Sequence, residues 1–215
     1  MKYLGALPWV ITLAASLGCT YEAIQLAQAR TKLQIAYANH SDARQFDIRR
    51  QLSEVSEPIV ILGDSITEWA HFPREACGHP IVNAGIRGAR AWDFLYRAPA
   101  ILWGHPRKAA LIVVTLGANE KDGVQDYPAL FQLLGDTSNK LAAVSDTNRT
   151  EINSVIEAAA KAAGIPFATV AMGPADHGPD GVHFSQRGYA VWLPAITATI
   201  QDSLPECQRV EGRPS

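Results

Sequence analysis

The sequence lacks a basic excess: 19 Lys and Arg stand against 21 Asp and Glu, giving a formal net charge of −2. Nucleic-acid binding needs a positive footprint, so that class is excluded. Cysteine is scarce. Cys19, Cys77 and Cys207 are the only three, and their spacing suits no metal site. Neither a metal nor an organic cofactor is expected. There is no internal repeat and no low-complexity tract. Charged residues make up only 19% of the chain and hydrophobic residues 47%, a composition that fits a packed core and excludes wholesale disorder. A length of 215 residues allows one domain of ordinary size with a short extension.

Charge is scarcest at the N-terminus. After Lys2, none occurs from Tyr3 through Tyr21. Residues 1–21 therefore read as a signal peptide or membrane anchor. A third reading is lipidation at Cys19, because "SLGC" resembles a bacterial lipobox apart from Ser16. All three export the domain, to a periplasmic or extracellular location with membrane contact through this segment. A buried N-terminal helix is the plainer alternative. Export would permit a Cys77–Cys207 disulfide, although two separate thiols is the simpler reading. Sequons at Asn39 and Asn148 matter only in a host that glycosylates. Residues 22–56 have no Pro or Gly and read as a helical stalk or packing helix, with a ragged apolar stripe at Ile24, Leu26, Leu33, Ile35 and Tyr37.

From Pro58 short apolar runs alternate with helical stretches. "PIVILG", "HPIVNAG", "AALIVVTLG", "KLAAVS" and "PFATVAM" are strand candidates. Between them, "AWDFLYRAPAILW" is helical if Pro99 only bends it, and "YPALFQLLG" makes a short helix. "NRTEINSVIEAAAKAAG" is the best helix, capped by Asn148 or Thr150 and ended by Gly164. "SQRGYAVWLPAITATIQDSL" is a last helix, kinked or interrupted at Pro194. This alternation implies an α/β fold with a parallel sheet covered on both faces. Ligands in such folds bind outside the carboxyl ends of the strands. The domain is expected over 57–208, followed by a disordered tail at 209–215.

At those strand ends stand Gly63-Asp64-Ser65, then "NAGIRGAR" with Gly85 and Gly88, then "GANE" with Asn119, and finally "DHGPDGVHFS" with Asp176, His177, Asp180 and His183. This set suits acyl transfer. A serine hydroxyl becomes a nucleophile when imidazole takes its proton, and a carboxylate fixes the imidazole tautomer. Backbone amides at a glycine turn and an asparagine amide can hold an oxyanion. The absence of Gly-x-Ser-x-Gly argues against an α/β-hydrolase elbow.

These blocks resemble the SGNH, or GDSL-type, hydrolases: "GDSIT", "NAGIRG", "GAN" and "DGVHFS", in order, over about residues 58 to 204. The resemblance implies a flavodoxin-like three-layer α/β/α sandwich with a five-stranded parallel sheet. It implies Ser65 as nucleophile, His183 as general base and Asp180 as its orienting acid. The oxyanion donors would be the Ser65 N–H, Gly88 and Asn119. Glu120 departs from the family, where many members carry Asp, but it is no donor and is set aside. Short connections leave no sequence for a large lid, which points to an open cleft and a small acyl group.

Rivals to this reading are few. Asp176 could replace Asp180 as orienter, and a His177/His183 metal pair lacks a third ligand. Arg87 and Arg90 could receive an anionic substrate, but exposed arginines are the default. Trp69, Trp92 and Trp103 could stack on a sugar, with core packing the plainer role. His40, His71, His79 and His105 read as surface or structural. The function expected is a serine esterase acting on a small-molecule or saccharide ester. The same site would serve an exported O-acyltransferase or carbohydrate deacetylase, and a non-catalytic binding module is the reading from another class. Oligomeric state is open.

Overall fold

The computed structural model describes residues 7–102, 108–121 and 124–207, with side chains from residue 18 onward. Trp103, His105 and the tail expected at 209–215 lie outside the described residues. The chain forms two compact units, Met1–Asp42 and Ala43–Ser215, and the boundary falls inside helix α1 (Leu7–Ser53). Among the described residues, no helix is long and apolar enough to cross a membrane. The second unit begins upstream of the expected start at 57. Ile48 and Leu52 are the reason: both are buried in the same core as the sheet, so the end of α1 packs as part of that unit.

The remaining elements run in chain order: β1 (Ile59–Gly63), α2 (Ser65–Trp69), β2 (Glu75–Ala76), β3 (His79–Gly85), α3 (Ala91–Leu102), β4 (Leu111–Thr115), α4 (Tyr127–Gly135), β5 (Leu141–Val144), α5 (Thr150–Ala162), β6 (Phe167–Ala168), a 3-10 turn (Pro174–Asp176) and α6 (Gln186–Ser203). The strands lie in the order β2-β3-β1-β4-β5-β6. The five expected strands are all present and parallel. The sixth, β2, is an antiparallel edge strand paired to β3. No apolar run announces it. It exists because Cys77 and Gly78, at φ 56 and 81, make a two-residue turn of the kind that joins hairpin strands. A disulfide then ties Cys77 to Cys207 beyond α6, which overturns the reading of two separate thiols.

The all-apolar strands are buried on both faces, as expected for the centre of such a sheet. Every residue of β1 and β4 is buried. Val60 and Leu62 face a core shared with α3, α4 and α5. Ile59 and Ile61 face the other, where α6 brings Trp192, Ile196 and Ile200. Trp192 is fully buried and donates its indole N–H to the Ser145 carbonyl at 2.9 Å; its truncation to Ala would cost about 3–5 kcal/mol. Pro99 and Pro194 lie inside α3 and α6, which run on to Leu102 and Ser203. Gly164 ends α5 as expected, with the Ile165 N–H reaching back to the Ala160 carbonyl at 2.8 Å. The start of α5 differs: Arg149 holds the cap position without a side-chain cap bond. The Thr147 hydroxyl instead takes the Arg149 N–H, at 3.2 Å.

Connections from β1 run to β3 on one side and then back across to β4 on the other. The sheet therefore changes winding direction at β1, and the crevice at its carboxyl end is the favoured ligand position.

Candidate active site

Strand β1 ends at Gly63, and the chain turns at once into α2. Asp64 makes the turn: its Oδ1 accepts the Ile66 N–H at 2.8 Å, capping the short helix. Ser65 is thereby the first helical residue, 4% exposed. The far end of α2 is held by Asn83, whose Nδ2 donates to the Thr67 carbonyl at 2.8 Å. This helix crosses β3 so closely that a Cβ on Gly85 would lie 2.2 Å from the Glu68 nitrogen. Arg44, near the end of α1, supports the same place by donating to the carbonyls of Gly85 at 2.9 Å and Asn83 at 2.7 Å.

The loop from His177 to Ser185 brings the base. Asp180 Oδ1 accepts the N–H groups of Val182 and His183, both at 3.0 Å. Its Oδ2 accepts from His183 Nδ1 at 2.5 Å. Those bonds, the one from His183 foremost, hold the Asp180 carboxyl down at about 2. Because Nδ1 carries the donated hydrogen, Nε2 presents its lone pair, and it stands 2.9 Å from Ser65 Oγ. Asp176, the rival orienter, is occupied elsewhere: it accepts the Gly173 N–H at 2.8 Å and pairs with Arg187 at 2.9 Å. His177 bonds the Gly173 carbonyl at 3.0 Å and packs its ring edge-on to Phe184. Among the described residues, no group of His, Cys, Asp and Glu could hold a metal ion.

Ser65, Gly88 and Asn119 are the donors expected for an oxyanion. Gly88 is exposed in the turn and adopts φ +73, a conformation that would strain other residues. Asn119 Nδ2 gives one hydrogen to Asp64 Oδ2 at 2.7 Å and the other, at a longer 3.3 Å, to the Ala89 carbonyl.

Further residues surround the Ser65, His183 and Asp180 line. Glu120, which the sequence reading sets aside, is 5% exposed. Its Oε1 accepts the Ala91 N–H at 2.6 Å and the Tyr127 hydroxyl at 3.3 Å. It thus ties the start of α3, just after Gly88, to the loop that carries Asn119, and burial raises its carboxyl. Trp69 does not pack in the core. It is 42% exposed, and its ring stacks on the His183 imidazole with centroids 4.3 Å apart. The Arg87 guanidinium lies 5.3 Å from the same indole. Arg90 pairs with Asp93 at 3.5 Å, and Trp92 packs edge-on against Tyr96. Asp146, at the end of β5, is fully buried and accepts the Ala118 N–H at 3.1 Å. A helical reading of exposed aromatics could have found Trp69; no local pattern points to Asp146.

No family model matches the chain, and no curated protein matches it significantly. Solved structures do. A protein from Streptococcus pneumonia, provisionally described as a platelet activating factor, superposes with a TM-score of 0.56 at 20% identity, over 82% of this chain and 98% of that one. A lipase/acylhydrolase from Enterococcus faecalis gives 0.54 at 18% identity, over 70% and 98%. The inhibitor-bound aryl esterase of M. Smegmatis gives 0.52 at 17% identity, over 69% and 100%. At these identities the likeness is one of fold, and it is the fold that the four sequence blocks imply.

Proposed function

We propose that the chain is a serine esterase that cleaves a small acyl ester through an acyl-enzyme intermediate. One observation carries the reading: Ser65 Oγ, His183 Nε2 and Nδ1, and Asp180 Oδ2 form a continuous hydrogen-bonded line, 2.9 Å and 2.5 Å in its two steps. The esterase and acylhydrolase neighbours support it.

His183 Nε2 takes the Ser65 hydroxyl proton as the oxygen attacks the ester carbonyl carbon. The oxyanion forms against the N–H groups of Ser65 and Gly88, and Asn119 exchanges its long bond to Ala89 for it. Asp180 remains ionised and stabilises the imidazolium without taking its proton. Trp69 covers one face of the imidazole and limits its rotation. The imidazolium protonates the leaving alkoxide. A water, deprotonated by the same nitrogen, then hydrolyses the acyl-Ser65 ester. The half-exposed Trp69 and exposed Gly88 leave the cleft open, which favours short acyl groups.

The test is Ser65→Ala, which should lower hydrolysis of an activated acetyl ester by about three to six orders of magnitude. Wild-type turnover in that variant sinks the assignment. Export is part of the same reading. The Cys77–Cys207 disulfide supports an oxidising compartment, since such bonds rarely persist in a reducing cytosol.

A further inference from the structure

Two carboxyl groups are buried together directly behind Asn119. Asp64 and Asp146 are each 0% exposed. Asp64 accepts at both oxygens: Oδ1 from the Ile66 N–H at 2.8 Å, and Oδ2 from Asn119 Nδ2 at 2.7 Å. Asp146 Oδ1 accepts the Ala118 N–H at 3.1 Å and would lie 2.7 Å from a Cβ on Gly117. Its other oxygen, Oδ2, is buried with no donor to accept from. The two carboxyls flank one loop, Asp64 holding the Asn119 amide and Asp146 the Ala118 N–H, and each perturbs the other's titration. Two ionised carboxylates cannot hydrogen-bond, because neither has a hydrogen to give. One proton resolves both facts. Placed on Asp146 it turns the orphaned oxygen into a donor and leaves Asp64 free to accept from Asn119.

Resting on the esterase reading, we propose that Asp146 is a positioning residue of the oxyanion hole: it keeps a proton, donates it to Asp64, and so holds Asp64 as the acceptor that aims the Asn119 amide. The Ala118 N–H bond adds a second hold on the same loop, one residue from the donor. The proton sits better on Asp146, because protonating either Asp64 oxygen would weaken a bond it accepts from an N–H, whereas Asp146 Oδ2 accepts none. Burial, with each carboxyl beside the other, raises Asp146 well above the ordinary carboxylate range, and burial pushes Asp64 up only to about 6. The strand end of β5 contributes to the site through this contact although Asp146 touches no substrate.

Three measurements test it. Asp146→Ala should lower kcat by about ten- to a hundred-fold with KM nearly unchanged, as a misaimed oxyanion donor does. Asp146→Asn should restore kcat to within about three-fold, because an amide offers Ala118 an acceptor and Asp64 a donor. The infrared difference between wild type and Asp146→Asn at pH 7 should contain the carbonyl band of a neutral carboxylic acid. A folded Asp146→Ala with wild-type kcat overturns the proposal. So does an Asp146→Asn variant as impaired as the Ala variant, or an active wild type without the band. If Asp146→Ala fails to fold, the Asn variant and the band still decide. A band present in a wild type that cleaves no ester would uphold the shared proton and reject the esterase reading instead.

Discussion

The two ends of one sheet differ in what they bury. At the carboxyl end, Asp64, Ser65, Glu120, Asp146 and Asp176 are all removed from water. At the amino end of β5 and β6 lies an open depression of about 640 Å³, lined by Phe131, Ser138, Lys140, Ile165 and the end of α6. It is roomy, yet its polar groups close helices and loops: Lys140 donates to the Ser203 carbonyl, and Ser138 to the Lys140 carbonyl. The depression holds volume, and the carboxyl end holds desolvated groups in fixed directions. Buried charge costs stability unless something uses it, so the burial pattern marks the working end better than cavity size does.

The sharpest way to break this contrast is at the triad. Asp180→Asn keeps the shape but removes the acceptor that fixes Nδ1–H, and kcat should fall by about a hundred- to ten-thousand-fold. Because its carboxyl sits at about 2, below the ordinary 3.8, Asp180 is ionised at any working pH. The stabilisation from its bonds is complete above 3.8 and is lost as pH falls toward 2. Acid loss of activity between pH 5 and 8 is therefore not due to protonation of Asp180. Steady-state kinetics at pH 7 read the loss in the Asn variant, and wild-type kcat there contradicts this assignment.

A second break uses backbone. Gly85→Ala would drive a Cβ into the backbone of Thr67 and Glu68. The side chain cannot turn away from backbone atoms, so β3 or α2 must shift. Destabilisation of about 1–3 kcal/mol is expected, with kcat down about ten-fold or more because Ser65 rides on α2. Thermal unfolding and steady-state kinetics read the two effects separately; a variant with normal stability and rate would show the close approach to be dispensable.

Much of this end is legible in the sequence, and the reason is local. Ser65, Gly88 and Asn119 follow closely on the ends of β1, β3 and β4, Asp180 and His183 lie in the loop between β6 and α6, and the parallel sheet aligns those ends. Strands β1 and β4 are visible because double burial makes them continuously apolar. Other features escape for equally physical reasons. Strand β2 has no apolar signature, since its pairing follows from the Cys77-Gly78 turn. The disulfide depends on where the chain end returns. Glu120 and Asp146 act through partners 29 and 28 residues away, at Ala91 and Ala118, and no spacing rule reports such contacts. Trp69 acts through His183, across the sheet edge.

Asp146 also gives a stability test of the comparison. A carboxyl raised above its ordinary value favours the folded state at low pH, and that benefit is lost as pH rises from 3.8 through the folded value. The unfolded chain releases this proton near pH 4, whereas the folded chain keeps it. Asp146→Asn should therefore match the wild type near pH 4 and exceed it at pH 7 in chemical-denaturation measurements. Equal stability at both values would mean that the pair carries no extra proton.

The smallest effect belongs to the amino end. Gly135 closes α4 on the rim of the open depression, and a Cβ there would meet nothing within 4 Å. Its backbone is helical, so alanine fits the native conformation and restricts the unfolded chain. Gly135→Ala should stabilise by about 0.4–1 kcal/mol, a rise in Tm of about 1–4 °C. Ester hydrolysis should be unchanged, since no residue of the triad or oxyanion hole lines this end. A Gly135→Ala protein with normal stability but altered kcat or KM would show that the depression communicates with Ser65, and the division of labour between the two ends of the sheet would fall.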